Sequence, residues 1–354
     1  MAANRNARSF EVVIQKPAGS NSDDSYVMER EALEPIGAKL VEIDAESEEA
    51  FAEAARSADA VIGRNRRITA SVIARLERCK VIGLSSIGTD TVDVEAATRH
   101  GIVVTNVPDV FIEEVADHTL AMLLSAYRQL PLMHRMMQEG RWAEGRPRLS
   151  MSPRLWGMTL GLISFGNVAR AVARRARPFG LRVLAYDPYV SEVEMTAAAV
   201  EPETSLSRLL ERSDFVSMHA PLNEETRHML SDAELARMKP TAVLVNNGRG
   251  PTIDEAALVR ALDAGRIAGA ALDVFEIEPL DPSSSLLHRD NVLCSPHVAS
   301  ATARMAPESR RRLGREIASV LLGRWPRSVV NPGVMPNTEL VRWQPYSHAR
   351  GPNR

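Results

Sequence analysis

The chain has 354 residues, of which 45% are hydrophobic and 25% are charged, and its formal net charge at pH 7 is -2. This composition is that of a globular protein long enough for two domains, and it excludes a disordered or fibrous chain. The near-neutral charge gives no basic field for nucleic acid, and two cysteines make no disulfide framework. Without a signal-peptide core or a long apolar run, we expect a cytoplasmic protein with no membrane partner.

The first third of the chain alternates short apolar runs with helical patterns. Between the apolar runs, the stretches SEEAFAEAARSA and TASVIARLERC have the periodicity of amphipathic helices. Such alternation predicts a parallel sheet with helices on its faces. The predicted strands of this region are Phe10–Gln15, Ala38–Ile43, Asp59–Gly63, Lys80–Ser86 and Ile102–Asn106.

A long helical pattern over residues 113–142, interrupted near Pro131, leads into a second block of the same kind. Its predicted strands are MTLGLIS, LRVLAYD, AAVEP, DFVSMHAPL, AVLVNN, IAGAALDVF and NVLCSPH. An amphipathic helix, ESRRRLGREIASVLLG, follows. We predict an α/β protein of two Rossmann-like, doubly wound parallel-sheet domains with a cleft between them. Residues 1–110 with 305–335 would form one domain, residues 111–304 the other, and residues 336–354 an irregular tail.

The segment from residue 158 to residue 187 has the outline of a dinucleotide-binding unit: strand, glycine turn, helix, strand. Gly166 would let the backbone approach a pyrophosphate, and the helix from Asn167 would point its N–H groups at it. Ala169 suits close helix–strand packing, but Ser164 stands where the first glycine of G-x-G-x-x-G is expected. Asp187 lies about 20 residues on, where an acid binds the adenosine ribose and repels a 2′-phosphate. This predicts NAD (NADH) in preference to NADP, although a unit that binds nothing remains an alternative from this stretch alone.

Three later strands end in polar motifs: VNNGRGPTIDE with Arg249, ALDVFEIEPL with Asp273 and Glu278, and CSPHVASAT with His297. A guanidinium grips a carboxylate, an imidazole takes a hydroxyl proton as hydride leaves the same carbon, and a carboxylate fixes the imidazole tautomer. Each residue alone has a plainer interpretation: the arginine as a surface charge, the histidine as a satisfied polar residue, and either Glu278 or the neighbouring Glu276 as a solvated group. The histidines show no metal-ligand spacing, so no metal is expected.

These motifs resemble those of the D-isomer-specific 2-hydroxyacid dehydrogenases, a family that includes phosphoglycerate dehydrogenases and the CtBP corepressors. The resemblance extends from about residue 10 to residue 335. It implies that Arg249 binds the substrate carboxylate, that His297 is the acid/base and that Glu278 is its partner. The motif SSIGTDTVD resembles the loop whose amides bind the substrate, namely Ser86, Ile87 and Gly88. Arg64 resembles an arginine that meets a substrate phosphate, with a solvated basic loop as the alternative.

The resemblance also assigns the two domains and the cofactor contacts. Residues 111–304 would bind NAD, and residues 1–110 with 305–335 would bind the substrate. The segment 131–155 resembles a dimerisation arm, which implies a homodimer through the cofactor domain. The implied cofactor-binding residues are Ser164, Gly166, Asn167, Val168, Asp187, His219, Ala220, Pro221, Thr226, Asn247, Gly248, Asp273 and Ala299.

The expected function is therefore reversible hydride transfer between NAD(H) and a small 2-hydroxy or 2-keto acid. A CtBP-like NAD(H)-sensing scaffold is the alternative from another class. A third possibility is a 3-phosphoglycerate-type enzyme without a regulatory extension, because only a short tail follows VVNPGVM. Three residues depart from the family pattern: Ser164 and Ser86 replace glycines, and Gly248 stands where a small Ala, Ser or Thr is usual.

Overall fold

A computed structural model of the protein describes residues 9–16, 26–64 and 66–341. The chain divides into two compact units. The first consists of Met1–Val110 with Ala303–Arg354, and the second is Phe111–Thr302. We call them the outer unit, because it contains both ends of the chain, and the inner unit.

The described part of the outer unit contains a five-stranded parallel sheet with the order β2-β1-β3-β4-β5. Residues Val12, Val13 and Ile14 of β1, the strand between β2 and β3, have no exposed surface, so this strand is buried on both faces. That burial explains why the run is continuously apolar rather than alternating. The strands are β1 (Phe10–Gln15), β2 (Ala38–Ile43), β3 (Ala60–Ile62), β4 (Val81–Gly83) and β5 (Val103–Thr105).

Short helices cover this sheet, and side-chain caps start three of them. Ser47, Thr69 and Asp93 each accept a hydrogen bond from an N–H group in the first turn of the helix that follows. A longer helix returns from the end of the chain and buries Leu313 and Ile317 against β4. The helices are α1 (Val27–Leu33), α2 (Glu48–Ala54), α3 (Ala70–Ile73), α4 (Val94–Arg99) and, after the inner unit, α13 (Met305–Leu321).

The inner unit contains a seven-stranded parallel sheet with the order β12-β11-β10-β9-β6-β7-β8. From β6 the chain proceeds to β7 and β8 on one side of that strand, then crosses to β9 on its other side. This reversal is the topological switch point at which open α/β sheets bind ligands. The strands are β6 (Thr159–Ile163), β7 (Arg182–Tyr186), β8 (Glu201–Pro202), β9 (Phe215–Met218), β10 (Val243–Asn246), β11 (Gly269–Leu272) and β12 (Val292–Cys294).

Two apolar layers cover the faces of this sheet. Leu123 and Val172 belong to one layer, and Leu258 and Leu209 to the other. The helices are α5 (Ile112–Tyr127), α6 (Leu130–Gln138), α7 (Trp142–Ser150), α8 (Asn167–Ala176), α9 (Glu192–Ala197), α10 (Leu206–Arg212), α11 (Asp232–Leu235) and α12 (Glu255–Asp263).

The fold class predicted from the sequence, two α/β parallel-sheet domains, is confirmed. Some element bounds differ: the helix predicted over TASVIARLERC ends at Ile73, and an irregular segment that buries Leu76 and Cys79 follows it. The helix α1 was not predicted. In the predicted tail, a 3-10 helix ends at Asn337 and Val341 pairs with Arg324. Residues 342–354 lie outside the described residues.

Candidate active site

The turn after β6 has the features that a pyrophosphate requires. Gly166 is the N-cap of α8, and glycine has no side chain to cap the first N–H groups of the helix. A Cβ atom built on Gly166 would meet nothing within 4 Å, so the space beside it is open. Ala169 is fully buried beneath, whereas Asn167 is exposed and Val168 is half-buried. Open space and uncapped N–H groups fit an anionic diphosphate.

Ser164 and Asp187 meet at the ends of β6 and β7. Ser164 has a φ of 72°, in the left-handed region that favours glycine. Its hydroxyl donates to Asp187 Oδ2 at 3.2 Å, and Phe165 N–H donates to the same oxygen at 2.8 Å. Tyr189 N–H donates to Asp187 Oδ1 at 2.8 Å. Hydrogen bonds to both carboxylate oxygens therefore fix the orientation of Asp187, the predicted ribose-binding acid.

The loop after β9 contains four of the predicted cofactor residues: His219, Ala220, Pro221 and Thr226. The Thr226 hydroxyl donates to the carbonyl oxygen of Pro221 at 2.5 Å, which closes the loop on itself. His219 N–H donates to the carbonyl oxygen of Ile163 at 2.9 Å, so the loop is tied to the end of β6. Burial lowers the pKa of His219 to about 4, and its ring lies 2.9 Å from the Ser217 hydroxyl. His219 is thus neutral at physiological pH.

The loop after β10 contains Asn247, Gly248 and Arg249. The side chain of Asn246 holds it from both sides, accepting from Gly248 N–H at 3.0 Å and donating to the carbonyl oxygen of Arg249 at 3.0 Å. Asn247 is buried, and its amide lies 3.2 Å from the hydroxyl of Thr119. Gly248 fits because a Cβ atom there would lie 3.3 Å from the carbonyl oxygen of Met218.

The Arg249 loop lies directly against the loop that carries Glu278. A Cβ atom on Gly250 would lie 1.9 Å from the carbonyl oxygen of Phe275, so only glycine permits this approach. Phe275 N–H in turn donates to Glu278 Oε1 at 3.1 Å. Arg249 itself is half-buried, and its Nη1 donates to the carbonyl oxygen of Gly248 at 2.8 Å.

Glu278 and His297, which are far apart in the sequence, are in contact. Glu278 Oε2 lies 2.7 Å from His297 Nδ1, and both side chains are partly exposed. With Nδ1 engaged by the carboxylate, the neutral ring has its proton there and Nε2 is left as a base. The neighbouring Glu276 contacts His228 instead. Neither glutamate is merely solvated, and Glu278 is the one that meets His297.

Asp273 supports the His297 loop from beneath. Its carboxylate is fully buried and accepts from the Ser295 hydroxyl at 2.6 Å and from the N–H groups of Val298 at 3.0 Å and Ala299 at 2.9 Å. The resemblance matched Asp273 to a position lining the nicotinamide; in the structure its carboxylate has no exposed surface and holds the loop. Ser295 was missed, although its position two residues before His297 was the available signal.

The predicted substrate loop lies in the outer unit. The Ser86 hydroxyl donates to the carbonyl oxygen of Gly88 at 2.8 Å, so the serine that replaces a glycine braces its own loop. Asn106 Nδ2 donates to the carbonyl oxygen of Ile87 at 2.7 Å, which fixes the orientation of that peptide group. Asn106 was not predicted. Arg64 follows β3 and is half-buried.

Within residues 9–16, 26–64 and 66–341, no three His, Cys, Asp or Glu side chains cluster in a way that could hold a metal ion. Nor does any helix in these ranges combine the length and apolarity needed to cross a membrane.

A glycine turn at a switch point, an acid at the end of the next strand and a Glu–His pair define the class of dinucleotide-dependent dehydrogenases. The family model described as "D-isomer specific 2-hydroxyacid dehydrogenase, NAD binding domain" matches residues 120–299. The chain belongs to this family, as its motifs predicted. The family's members are oxidoreductases that act on the CH–OH group of a 2-hydroxy acid, and the matched domain takes a nicotinamide cofactor.

Relatives and solved structures agree with this membership. A glyoxylate reductase of Korarchaeum cryptofilum is 41% identical over 279 residues, 78% of this chain and 82% of that protein. A D-3-phosphoglycerate dehydrogenase of Methanocaldococcus jannaschii is 36% identical over 89% of this chain. The match spans only 59% of the length of that dehydrogenase. The crystal structure of a glyoxylate reductase from Paecilomyes thermophila has a TM-score of 0.80 and 28% identity, covering 92% of this chain and 99% of that one. The relatives favour an enzyme over a CtBP-like scaffold.

Proposed function

We propose that this protein is an NAD-dependent D-2-hydroxyacid dehydrogenase that interconverts a small 2-keto acid of the glyoxylate class and its 2-hydroxy acid. The contact of 2.7 Å between Glu278 and His297 carries the proposal, because an oriented imidazole is the group that the reaction needs. Relatives named glyoxylate reductase, matched over most of the chain, support a small substrate.

His297 would move the proton. Its Nδ1 is engaged by Glu278, so Nε2 takes the proton of the substrate hydroxyl during oxidation and returns it to the carbonyl oxygen during reduction. Glu278 stabilises the imidazolium that forms and keeps the ring in one orientation. A bound nicotinamide would accept or supply the hydride at the same carbon.

Arg249 and the amides of the 86–88 loop would bind the substrate carboxylate. A guanidinium forms two parallel hydrogen bonds with a carboxylate, which fixes the plane of the substrate. Asn106 and the Ser86 hydroxyl hold the carbonyl groups of Ile87 and Gly88, and this would leave the N–H groups of the loop for the substrate.

We also propose that NAD is preferred to NADP. Asp187 ends β7 where the adenosine ribose would bind, and its carboxylate accepts hydroxyl protons and repels a phosphate. Gly166, Asn167 and Val168 would hold the pyrophosphate, and the 219–226 loop would lie on the adenosine side. Among similar solved structures, the reductase of Sinorhizobium meliloti is described as NADPH-dependent, so the preference needs measurement.

A substrate with a phosphate on the third carbon is the second candidate. The phosphoglycerate dehydrogenase match and the position of Arg64 after β3 favour it. Arg66 of the same loop donates to the side chain of Gln15 and to the carbonyl oxygen of Ala45. Arg64 is the residue that the resemblance of this motif assigns to a phosphate, and the proposal keeps that assignment.

We further propose a homodimer formed through the α6–α7 arm of the inner unit. This arm presents Trp142, which is 77% exposed, and is followed by Met151, which is 88% exposed. Large apolar side chains exposed to this degree are typical of an interface between proteins.

The experiment follows NADH absorbance with glyoxylate, hydroxypyruvate, pyruvate and phosphohydroxypyruvate. Wild type should reduce at least one of them, and His297→Ala should lower kcat by about 10²- to 10⁴-fold while NADH binding is kept. The control is His288→Ala, an exposed histidine of the same unit, which should keep full activity. If phosphohydroxypyruvate is the best substrate and Arg64→Ala raises its KM selectively, the second candidate is supported. Binding of NADH without turnover of any acid would contradict the enzymatic proposal.

A further inference from the structure

Ser164 is the residue that most clearly departs from its family's pattern, and its contacts are unusual. At φ 72° an L side chain is strained, yet this position has one. In this strained conformation the Ser164 hydroxyl donates to Asp187 Oδ2, 3.2 Å away. Glycine would remove both the strain and the hydrogen bond. The two features therefore come together, and the bond is a candidate reason for the strain.

Among the described residues, three groups donate to Asp187, and the Ser164 hydroxyl is the side chain among them. Phe165 N–H and Tyr189 N–H are backbone groups, available whatever the residue type. They hold one oxygen each, whereas the Ser164 hydroxyl adds a second donor on Oδ2. With Oδ2 held twice, rotation of the carboxylate away from its site breaks an additional hydrogen bond to a charged acceptor.

The single proton of the Ser164 hydroxyl determines whether that group can donate a hydrogen bond to a ligand or only accept one. A serine hydroxyl has one proton and two lone pairs. The proton is committed to Asp187, so only acceptor capacity remains on Oγ. A ribose 2′-hydroxyl can donate to such a pair of acceptors, but a 2′-phosphate dianion is acceptor-only and finds no donor there. It could be accommodated only if Ser164 gave up its bond to Asp187 and the carboxylate moved.

We propose that Ser164 is a specificity-determining residue that acts through Asp187 to favour the cofactor with a free 2′-hydroxyl. This inference rests on the proposed NAD preference and extends it to a residue at which this chain departs from the usual glycine. The strained backbone at position 164 is retained because it delivers the hydroxyl to the ribose acid.

The test measures dissociation constants of NADH and NADPH by fluorescence, without any keto acid. Ser164→Ala keeps the Cβ atom and its strain but removes the hydroxyl, whereas Ser164→Gly removes both. Each variant should shift the ratio of the two constants toward NADPH by about three- to tenfold, the effect of one hydrogen bond to a charged group in a half-exposed site. In an Asp187→Asn background, Ser164→Ala should have no further effect.

Thermal unfolding separates the strain from the hydrogen bond. Ser164→Gly should raise the melting temperature by about 2–4 °C through relief of the left-handed backbone, and Ser164→Ala should not. The matched control is Ala199→Gly, because Ala199 is exposed, has a φ of 54° and lies outside the site. It should raise the melting temperature without changing the cofactor ratio.

The inference is overturned if Ser164→Ala leaves the ratio within twofold of wild type while Asp187→Asn shifts it. A shift that persists undiminished in the Asp187→Asn background also overturns it, since Ser164 would then act alone. Wild type binding NADPH more tightly than NADH would overturn both this inference and the proposed cofactor preference. Because the dissociation constants are measured without a keto acid, a failure to find a keto-acid substrate would contradict the proposed enzymatic activity but not a measured shift in the NADH to NADPH ratio.

Discussion

His297 has a φ of 52°, a backbone conformation that costs a non-glycine residue about 1–3 kcal/mol. The Asp273 peptide carbonyl accepts from His297 N–H at 2.8 Å, and the Asp273 carboxylate holds the two following N–H groups. This buried aspartate thus fixes the loop in its strained form and directs the imidazole at Glu278. The sequence identified the imidazole and its acid by motif. It did not indicate the strain or the Ser295 contact, because both depend on where neighbouring strands end.

His219 provides a prediction about pH at the same scale. Its pKa is lowered by burial from 6.5 to about 4, so the unfolded chain binds its proton more readily than the folded chain. Protonation of the unfolded chain at this histidine therefore lowers the free energy of unfolding as the pH falls from about 6.5 toward 4, and above about pH 6.5 there is no such loss. His219→Gln should remove this loss, which amounts to about 2 kcal/mol between pH 7 and pH 5.

Thermal unfolding of wild type and His219→Gln at the two pH values measures this effect. The difference in melting temperature between pH 7 and pH 5 should be smaller in the variant. His288→Ala, which changes an exposed histidine, serves as the control and should keep the pH dependence of wild type. Equal pH dependence in wild type and His219→Gln would show that His219 is not protonated on unfolding.

Among the elements, α1 and α13 show most clearly what sequence patterns miss. The α1 segment VMEREAL has no regular apolar stripe, and it forms a helix because α13 packs against it. Glu29 of α1 is buried and contacts Arg310 of α13 at 2.7 Å, a pairing between residues at opposite ends of the chain. Helical periodicity cannot predict an element that is stabilised by a partner so distant in the sequence.

The close approach of these two helices makes a testable prediction. A Cβ atom on Gly314 would lie 2.7 Å from the carbonyl oxygen of Glu29. Because this oxygen belongs to the backbone of α1, it cannot move away as the end of a flexible side chain could. Gly314→Ala should therefore destabilise the outer unit by about 1–3 kcal/mol, although alanine is the better helix former by about 1 kcal/mol.

Gly145→Ala is the matched control, because Gly145 lies within α7 and a Cβ atom there would meet only Met133 Sδ, at 3.5 Å. It should be neutral or stabilising. Calorimetry of both variants compares the same substitution with and without a backbone obstacle. A stabilising Gly314→Ala would mean that the two helices separate at little cost.

At the scale of the whole molecule, the chain forms two units of the same general architecture, each built on a parallel sheet. The α6–α7 arm of the inner unit is only partly buried by packing within its own chain. Leu132 and Met136 are buried, but Trp142, Met137 and Met151 are exposed. A monomer gains nothing from exposing these side chains, which supports the proposed homodimer.

Trp142→Arg should convert the dimer to a monomer, because a charged side chain at the centre of an apolar interface is left without a partner. Light scattering coupled to gel filtration measures the mass of each species. Val193→Arg, at a residue of α9 that is likewise 77% exposed, should remain dimeric. A wild-type protein that elutes as a monomer at all concentrations would contradict the proposal.

The sequence by itself determined the alternation of strands and helices, the glycine turn after the first strand of the inner unit and the motifs with Arg249, Glu278 and His297. It could do so because buried parallel strands are continuously apolar and because open α/β sheets bind their ligands at the carboxyl ends of the strands. The tertiary structure alone decided that Glu276 contacts His228, that the buried Asp273 carboxylate holds the His297 loop, and that the Ser164 hydroxyl reaches Asp187. Those outcomes depend on distances between side chains whose positions are set by strand order, which no local pattern encodes.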